Sequence, residues 1–457
     1  MCHHAPPVSI PPTNTPLPPE STSSEARVDS LFDSALCAHR AGGIVEAEAG
    51  YRIVLAANAC HAEAHYLLGL IEQSRGNLSE AEGGLRRALA IRPDFPEALN
   101  ALGVLLDDVQ RFKEGEVAYR RVMALLPASA TAQYNLALLL LRSGQYADAW
   151  KYYESRYDPS IRSGVTALPR HLAFPQWQGE RLVGKSMVIW ADEGYGDQIQ
   201  FARYVPLLRQ RGVSRITLVC DEALKPLLET VDGVDCVISD PFAVPPHDYW
   251  SLFMSLPRYF GTTLETIPTT IPYVVPLQEK LEHWQKKLPV DGIRVGLVWK
   301  GNPHHGNDVH RSLPSLATLA PLWSIPGITF VSLQKYHAGQ DARQPLAGQY
   351  ITPLGEEIQD FADTAAIVAQ LDLTICVDTA VAHVAGALGK PCWVLLPSFH
   401  TDWRWLTDRA DSPWYPETMR LFRQTRFNDW TPVIEEVTHA LQAWALTRPH
   451  PNRCATN

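Results

Sequence analysis

The sequence predicts an all-helical repeat array followed by an α/β region built of two Rossmann-like halves, an α plus α/β fold class. Two observations carry this: a period of 34 residues over the first third of the chain, and a strand–turn–helix rhythm over the remainder that pauses once, near Pro289. In the first part, Ala35, Gly69, Gly103 and Ala137 fall in register. So do Ala47, Ala81, Gly115 and Ala149, and then Tyr51, Leu85, Tyr119 and Tyr153. Pro93 and Pro127 close two of the repeats, and Ala59 stands where a third proline would. Small residues at fixed places let paired helices approach closely, and the Tyr or Leu fills the space beside them.

A single helix pair cannot bury its apolar face alone, and about three are needed for a stable stack. The pattern runs through three full repeats from Val28 to Ser129 and loses its spacing after Tyr153 in a fourth. It resembles the tetratricopeptide repeat, whose stacked helix pairs form a groove for an extended peptide or a protein partner.

The expected layout is a disordered leader over 1–27, the array over 28–157, a linker over 158–184, a first α/β half over 185–288, a second over 289–446 and a tail over 447–457. The leader is rich in Pro, Ser and Thr and has no apolar signal core. The linker carries Pro169, Phe174, Pro175 and Trp177, which predict an ordered segment.

Expected strands of the first half are Ser186–Ala191, Arg215–Cys220, Val234–Ser239 and Asp248–Ser255, with helices over Gln198–Arg211 and Leu277–Leu288. Those of the second are Ile293–Trp299, Ile328–Leu333, Tyr350–Thr352, Leu373–Val377 and Cys392–Pro397. Alternation of this kind predicts parallel sheets, with ligands outside the carboxyl ends of the strands.

A net charge of −9 argues against nucleic acid as the main partner, since phosphate binding needs a basic surface. No stretch of 18 or more apolar residues occurs, so no membrane-spanning helix is expected. Eight cysteines without a C-x-x-C pair fit a reducing cytoplasm.

Three segments are candidates for chemistry. EGYGDQIQFARY follows the first strand; Gly194 and Gly196 permit positive φ and close ligand approach, and Asp197 opens a helix at the strand's carboxyl end. Asp197 reads either as a helix cap or as a proton acceptor. A dinucleotide fingerprint would need glycine where Ile199 stands, although Asp221 mimics its ribose-binding acid. WKGNPHHGNDVHRSLP brings Lys300, His304, His305, His310 and Arg311 within twelve residues, a cationic loop suited to pyrophosphate. Its histidines lack any recognised metal-ligand spacing. CVDTAVAHVAGALGKP runs from strand into helix, with Asp378 as the expected cap, Thr379 and Ala380 offering backbone N–H groups to an anion, and His383 one turn on. His383 reads equally as a packed, satisfied histidine.

Less specific are Gln334 and Lys335, placed to reach a nucleotide base or ribose, and Asp363 with Thr364, which read as helix caps. Arg404 in the DWRW segment reads as a stacking or ion-pairing group, or as a structural plug.

These three segments, in this order, resemble the glycosyltransferases of the heptosyltransferase family (family 9), which have the two-Rossmann GT-B fold. The resemblance covers about Ser186 to Trp444. It implies that Gly196 and Asp197 match the family's Gly-Asp pair, with Asp197 the catalytic base. It implies that Lys300, with Arg311, contacts the donor diphosphate. Asp378, Thr379, Ala380 and His383 match the helix start Asp-Thr/Ser-Gly-x-x-His, except that Ala380 replaces the glycine.

Repeats joined to such a region also resemble the protein O-glycosyltransferases and the bacterial flagellin-modifying transferases. The resemblance implies inverting, metal-independent transfer of a hexosyl or heptosyl group from a nucleotide-sugar substrate, with no other cofactor. The repeats would then dock a protein acceptor or partner. Two other readings stay open: a non-catalytic scaffold with a degenerate transferase domain, and a glycolipid or lipopolysaccharide transferase.

Overall fold

The computed structural model describes residues 23–161 and 172–448, which form two compact units. The expected fold class is observed: a helical array, then two parallel α/β halves.

The array contains four helix pairs: α1 (Ser23–Arg40) with α2 (Ile44–Ala57), α3 (Ala62–Ser74) with α4 (Leu78–Ile91), α5 (Pro96–Asp108) with α6 (Phe112–Leu125), and α7 (Ala130–Arg142) with α8 (Tyr146–Tyr153). Helix already begins at Ser23, so residues 23–27 of the expected leader are corrected to helix; the rest of that leader and the expected tail from 449 lie outside the described residues. The turns inside the pairs need a left-handed residue, supplied by Gly42, Gly76 and Gly144 at φ near +80° and by Gln110 at φ +61° in the third pair. The small column is a packing requirement. A Cβ on Gly103 would lie 2.6 Å from the Tyr119 ring, and one on Gly69 would lie 3.2 Å from both the Ala81 carbonyl oxygen and Leu85. Tyr51, Leu85, Tyr119 and Tyr153 are buried beside these contacts. Each buried side chain of this size contributes roughly 1.5–3 kcal/mol.

The first α/β half is a four-stranded parallel sheet of β1 (Ser186–Trp190), β2 (Arg215–Val219), β3 (Cys236–Ile238) and β4 (Tyr249–Leu252), ordered β3-β2-β1-β4. Part of the expected linker belongs to its edge. Trp177 donates its N–H to the Trp250 carbonyl at 2.8 Å, and Trp250 donates to that of Pro175 at 3.0 Å. Pro169 lies outside the described residues. The helix expected over Gln198–Arg211 is two helices, Tyr195–Phe201 and Val205–Gln210, joined by a 3-10 turn. Pro206 explains the break, since it has no N–H to give the carbonyl four residues earlier.

The second half is a six-stranded parallel sheet of β5 (Ile293–Val298), β6 (Ile328–Ser332), β7 (Ile351–Pro353), β8 (Leu373–Val377), β9 (Cys392–Leu396) and β10 (Met419–Arg423), ordered β10-β9-β8-β5-β6-β7. β8 and β9 are buried along their whole length, which is why they read as unbroken apolar runs. β10 and the closing helix Thr431–Leu446 are additions to the expected elements; Val433, Ile434, Val437 and Leu441 of that helix pack into the core of this half.

In each sheet the chain reverses direction of growth at one strand, β1 in the first and β5 in the second. Loops leaving the carboxyl ends of β1, β5 and β8 therefore stand where such sheets bind ligands. No helix among the described residues is long and apolar enough to cross a membrane.

Candidate active site

β1 feeds the Tyr195–Phe201 helix, whose N-cap is Gly194 at φ −66°, ψ 173°. Asp197 is thus the third residue of the helix and does not cap it. Neither Gly194 nor Gly196 adopts a positive φ, which corrects the expected reason for those glycines. What Gly196 allows is contact. A Cβ there would stand 2.7 Å from Cδ2 of His383 and 3.5 Å from the Ala380 Cα. The Asp197 helix and the His383 helix therefore touch, one from each sheet.

Asp197 is 6% exposed and accepts a hydrogen bond from Nη2 of Arg404. Arg404 is 2% exposed and stands on a 3-10 turn beyond β9. It also grips both carboxylate oxygens of Asp402 at 3.0 Å and donates Nε–H to Oε1 of Gln200 at 2.5 Å. Burial pushes the Asp197 carboxyl upward and Arg404 draws it down; the balance lies below the ordinary carboxylate value. Asp197 is ionised at neutral pH.

β8 feeds the Ala380–Ala387 helix. Its N-cap is Thr379, at φ −145°, ψ 168°, and not Asp378 as expected. The first ladder bond runs from the Ala382 N–H to the Thr379 carbonyl at 3.0 Å, so the N–H groups before it fall outside the ladder. Asp378 instead offers its carbonyl to Nη1 of Arg311 at 3.0 Å. Burial and the Asp402 carboxylate hold the Asp378 carboxyl above its usual range. His383 is 5% exposed, bonds through Nδ1 to the Tyr415 hydroxyl at 3.2 Å and stacks on Trp405. Burial, with Arg404 nearby, pushes its imidazole down to about 3. It is neutral at pH 7, and any help it gives an anion comes from an N–H, not from charge.

The loop after β5 carries the cations. Gln334, expected to reach a base or ribose, clamps this loop instead: Oε1 accepts the N–H groups of Trp299 and Lys300 at 3.0 and 2.9 Å, and Nε2 donates to the Lys300 carbonyl at 3.1 Å. The Lys300 ammonium makes no hydrogen bond or ion pair among the described residues. Arg311 lies against Gly301, where a Cβ would meet its guanidinium at 2.7 Å, and ties the loop to the start of the His383 helix through Asp378. The three histidines scatter. His304 is exposed, His305 is pushed down to about 4 by burial and Arg311, and His310 packs against Phe399. Lys335 bonds the Ile358 carbonyl at 2.7 Å, and the cap of the Phe361–Ala369 helix is Asp360, not Asp363.

The structure thus brings Gly196, Asp197, Ala380 and His383 together from opposite sheets, and joins Arg311 to Asp378. It gives Gln334 a supporting role. Sequence reasoning missed the partners Asp402, Gln200 and Tyr415. Asp402 could have been found, since Asp-x-Arg on a tight turn lets the carboxylate cap the turn and grip the guanidinium; it accepts the Arg404 N–H at 2.9 Å.

No family model matches the chain. It is 27% identical over 342 residues to the protein FlbA of Caulobacter vibrioides, an alignment spanning 70% of this chain and 56% of that one. The chain thus spans a little over half the length of that curated relative. Among solved structures, a mutant of the Thermobaculum terrenum O-GlcNAc transferase overlaps 93% of this chain and 92% of its own, at 14% identity and a TM-score of 0.34. PilF of Pseudomonas aeruginosa overlaps 31% of this chain and 66% of its own, at 24% identity and a TM-score of 0.28.

Proposed function

We propose that the chain is a glycosyltransferase that moves a sugar from a nucleotide-sugar donor to an acceptor hydroxyl. The observation that carries this reading is the meeting of a buried carboxylate, Asp197, carried by the first sheet, with the helix start at Thr379 and Ala380, carried by the second and tied by Arg311 to the cationic loop after β5. The donor diphosphate binds at the N–H groups of Thr379 and Ala380, with Lys300 as a point charge and Arg311 holding the loop in place. These groups stabilise the departing nucleoside diphosphate without a divalent metal. Asp197 accepts the proton of the attacking hydroxyl, and displacement from the opposite face inverts the anomeric centre. The helical repeats dock a protein acceptor or partner. What supports a proton acceptor here is a buried carboxyl that burial pushes up and Arg404 draws below its ordinary value.

Thermal-shift screening against a panel of nucleotide sugars tests the donor class. A donor at a hundred times its Kd stabilises the fold by about 2.7 kcal/mol. Stabilisation that persists in excess chelator is the expected result. If none of the UDP, GDP, ADP or dTDP sugars shifts the melt, the reading fails.

A further inference from the structure

Beyond donor binding and proton transfer, a chain of buried side chains runs from Arg203 in the first half through Tyr273 and Tyr415 to His383. We propose that Tyr415 is a positioning residue of this site: its hydroxyl donates to Nδ1 of His383 and so leaves an Nε2–H as a neutral donor to the anion held at Thr379 and Ala380. The inference rests on the glycosyltransferase reading only for what that N–H touches; the direction of the hydrogen bond is testable without it.

The chain begins at a group that can only donate. Arg203, 3% exposed, gives Nε–H to the Gln200 carbonyl at 2.9 Å and Nη1–H to the carbonyls of Trp414 and Pro268 at 2.8 and 3.2 Å. Its Nη2–H goes to the Tyr273 hydroxyl at 3.3 Å. That hydroxyl, already accepting, has two places for its own hydrogen: the Tyr415 hydroxyl at 3.2 Å and the Gln200 carbonyl at 3.5 Å. The carbonyl is the longer contact and already takes the Arg203 Nε–H. Tyr273 therefore donates to Tyr415, and Tyr415 in turn to Nδ1 of His383 at 3.2 Å. Hydrogen bonds that run one way from a cation polarise and strengthen one another in a buried place. Burial pushes the Tyr415 phenol well above its ordinary value, so its proton is held.

Gly386, three residues after His383 on the same helix, gives the phenol its place. A Cβ there would stand 2.4 Å from the Tyr415 ring, so any other residue would push the ring away from the imidazole. Trp405 stacks on the imidazole with the two rings 22° from parallel. Nδ1 is thus occupied, and Nε2 makes no hydrogen bond among the described residues. Nε2 stands at the junction of the two helices. A Cβ on Gly196 would lie 3.4 Å from it and 3.5 Å from the Ala380 Cα. The charged groups around His383 are Arg404, Asp197, Asp402 and Arg203. A bare Nε2 lone pair there would be repelled by the Asp197 carboxylate and by an incoming anion; an N–H is attracted to both.

The experiment is ring-nitrogen NMR of the full chain at pH 7, made with isotope-labelled histidine; the His383 signals are those missing from His383→Gln. In the expected spectrum Nε2 carries the proton and Nδ1 is bare but hydrogen-bonded. Tyr415→Phe keeps the ring and removes the donor, so it should move the Nδ1 resonance toward that of an unbonded imidazole nitrogen. A parent His383 with its proton on Nδ1 would overturn the proposal, as would an Nδ1 resonance unmoved by Tyr415→Phe. Should Tyr415→Phe not fold, the tautomer of the parent decides alone. With a nucleotide sugar that the screen identifies, Tyr415→Phe should lower kcat about tenfold with KM little changed, since charge on the leaving diphosphate grows in the transition state. It should cost nothing further in a His383→Gln background, because the glutamine amide donates without help from Tyr415. Equal losses in both backgrounds would make Tyr415 a packing residue and overturn its positioning role. If no nucleotide sugar binds, the glycosyltransferase reading falls, while the tautomer still decides what Tyr415 does.

Discussion

Among single residues, the chemistry of the site depends on which groups are charged. Asp197→Asn keeps size and shape but cannot accept a proton at neutral pH. Turnover should fall roughly 10²–10⁴-fold, with donor affinity little altered; full activity in that variant would move the base elsewhere, with Glu193 and Asp192 the next carboxylates along the loop. His383 gives a pH signature of its own. Its folded value near 3 lies below the ordinary histidine value of 6.5, so the unfolded chain takes up a proton that the folded one refuses. The stability it contributes is complete above pH 6.5 and is lost as pH falls toward 3, at about 1.4 kcal/mol per pH unit. Melting temperatures at pH 7 and pH 5 for the parent and His383→Gln check this: the acid loss should be smaller in the variant.

Elements show what was legible in the sequence and what was not. The array was legible because its constraint is local and repeats: a small residue every 34 positions and a large one facing it. The structure adds the steric reason, and with it a prediction of opposite signs. Gly103→Ala places a methyl 2.6 Å from the Tyr119 ring and should cost about 1–3 kcal/mol, the range for overpacking. Gly83→Ala, in the interior of α4, meets only the Arg87 guanidinium at 3.7 Å and should stabilise by up to about 1 kcal/mol through helix propensity. Chemical denaturation of both variants tests the pair; losses of equal size would mean that the small column is not under steric constraint. Of the ten strands among the described residues, nine were expected from the sequence. β10 was not, because Arg420 and Arg423 interrupt its pattern; they stand at an edge strand, where charge is tolerated. At the site, Asp197 and His383 were legible through motif position. Their contact through Gly196 and the Arg404 bridge depend on residues some two hundred positions apart, and no local spacing encodes such a distance.

For the whole molecule, the described residues divide into a repeat unit and an α/β unit, and the proposed chemistry belongs entirely to the second. The repeats should therefore affect the acceptor and not the donor. Metal-free donor binding is tested by calorimetric titration of the parent and Lys300→Ala with UDP, GDP, ADP and dTDP in excess chelator. Lys300 is the cation to remove because its ammonium makes no hydrogen bond or ion pair among the described residues, whereas Arg311 also ties down Asp378. The account predicts that at least one nucleotide binds the parent without metal, and that Lys300→Ala weakens it by about 1.5–3 kcal/mol, the range for a hydrogen bond to a charged group, with an unchanged melting temperature. Absence of binding by all four, or the same affinity in both proteins, would contradict it.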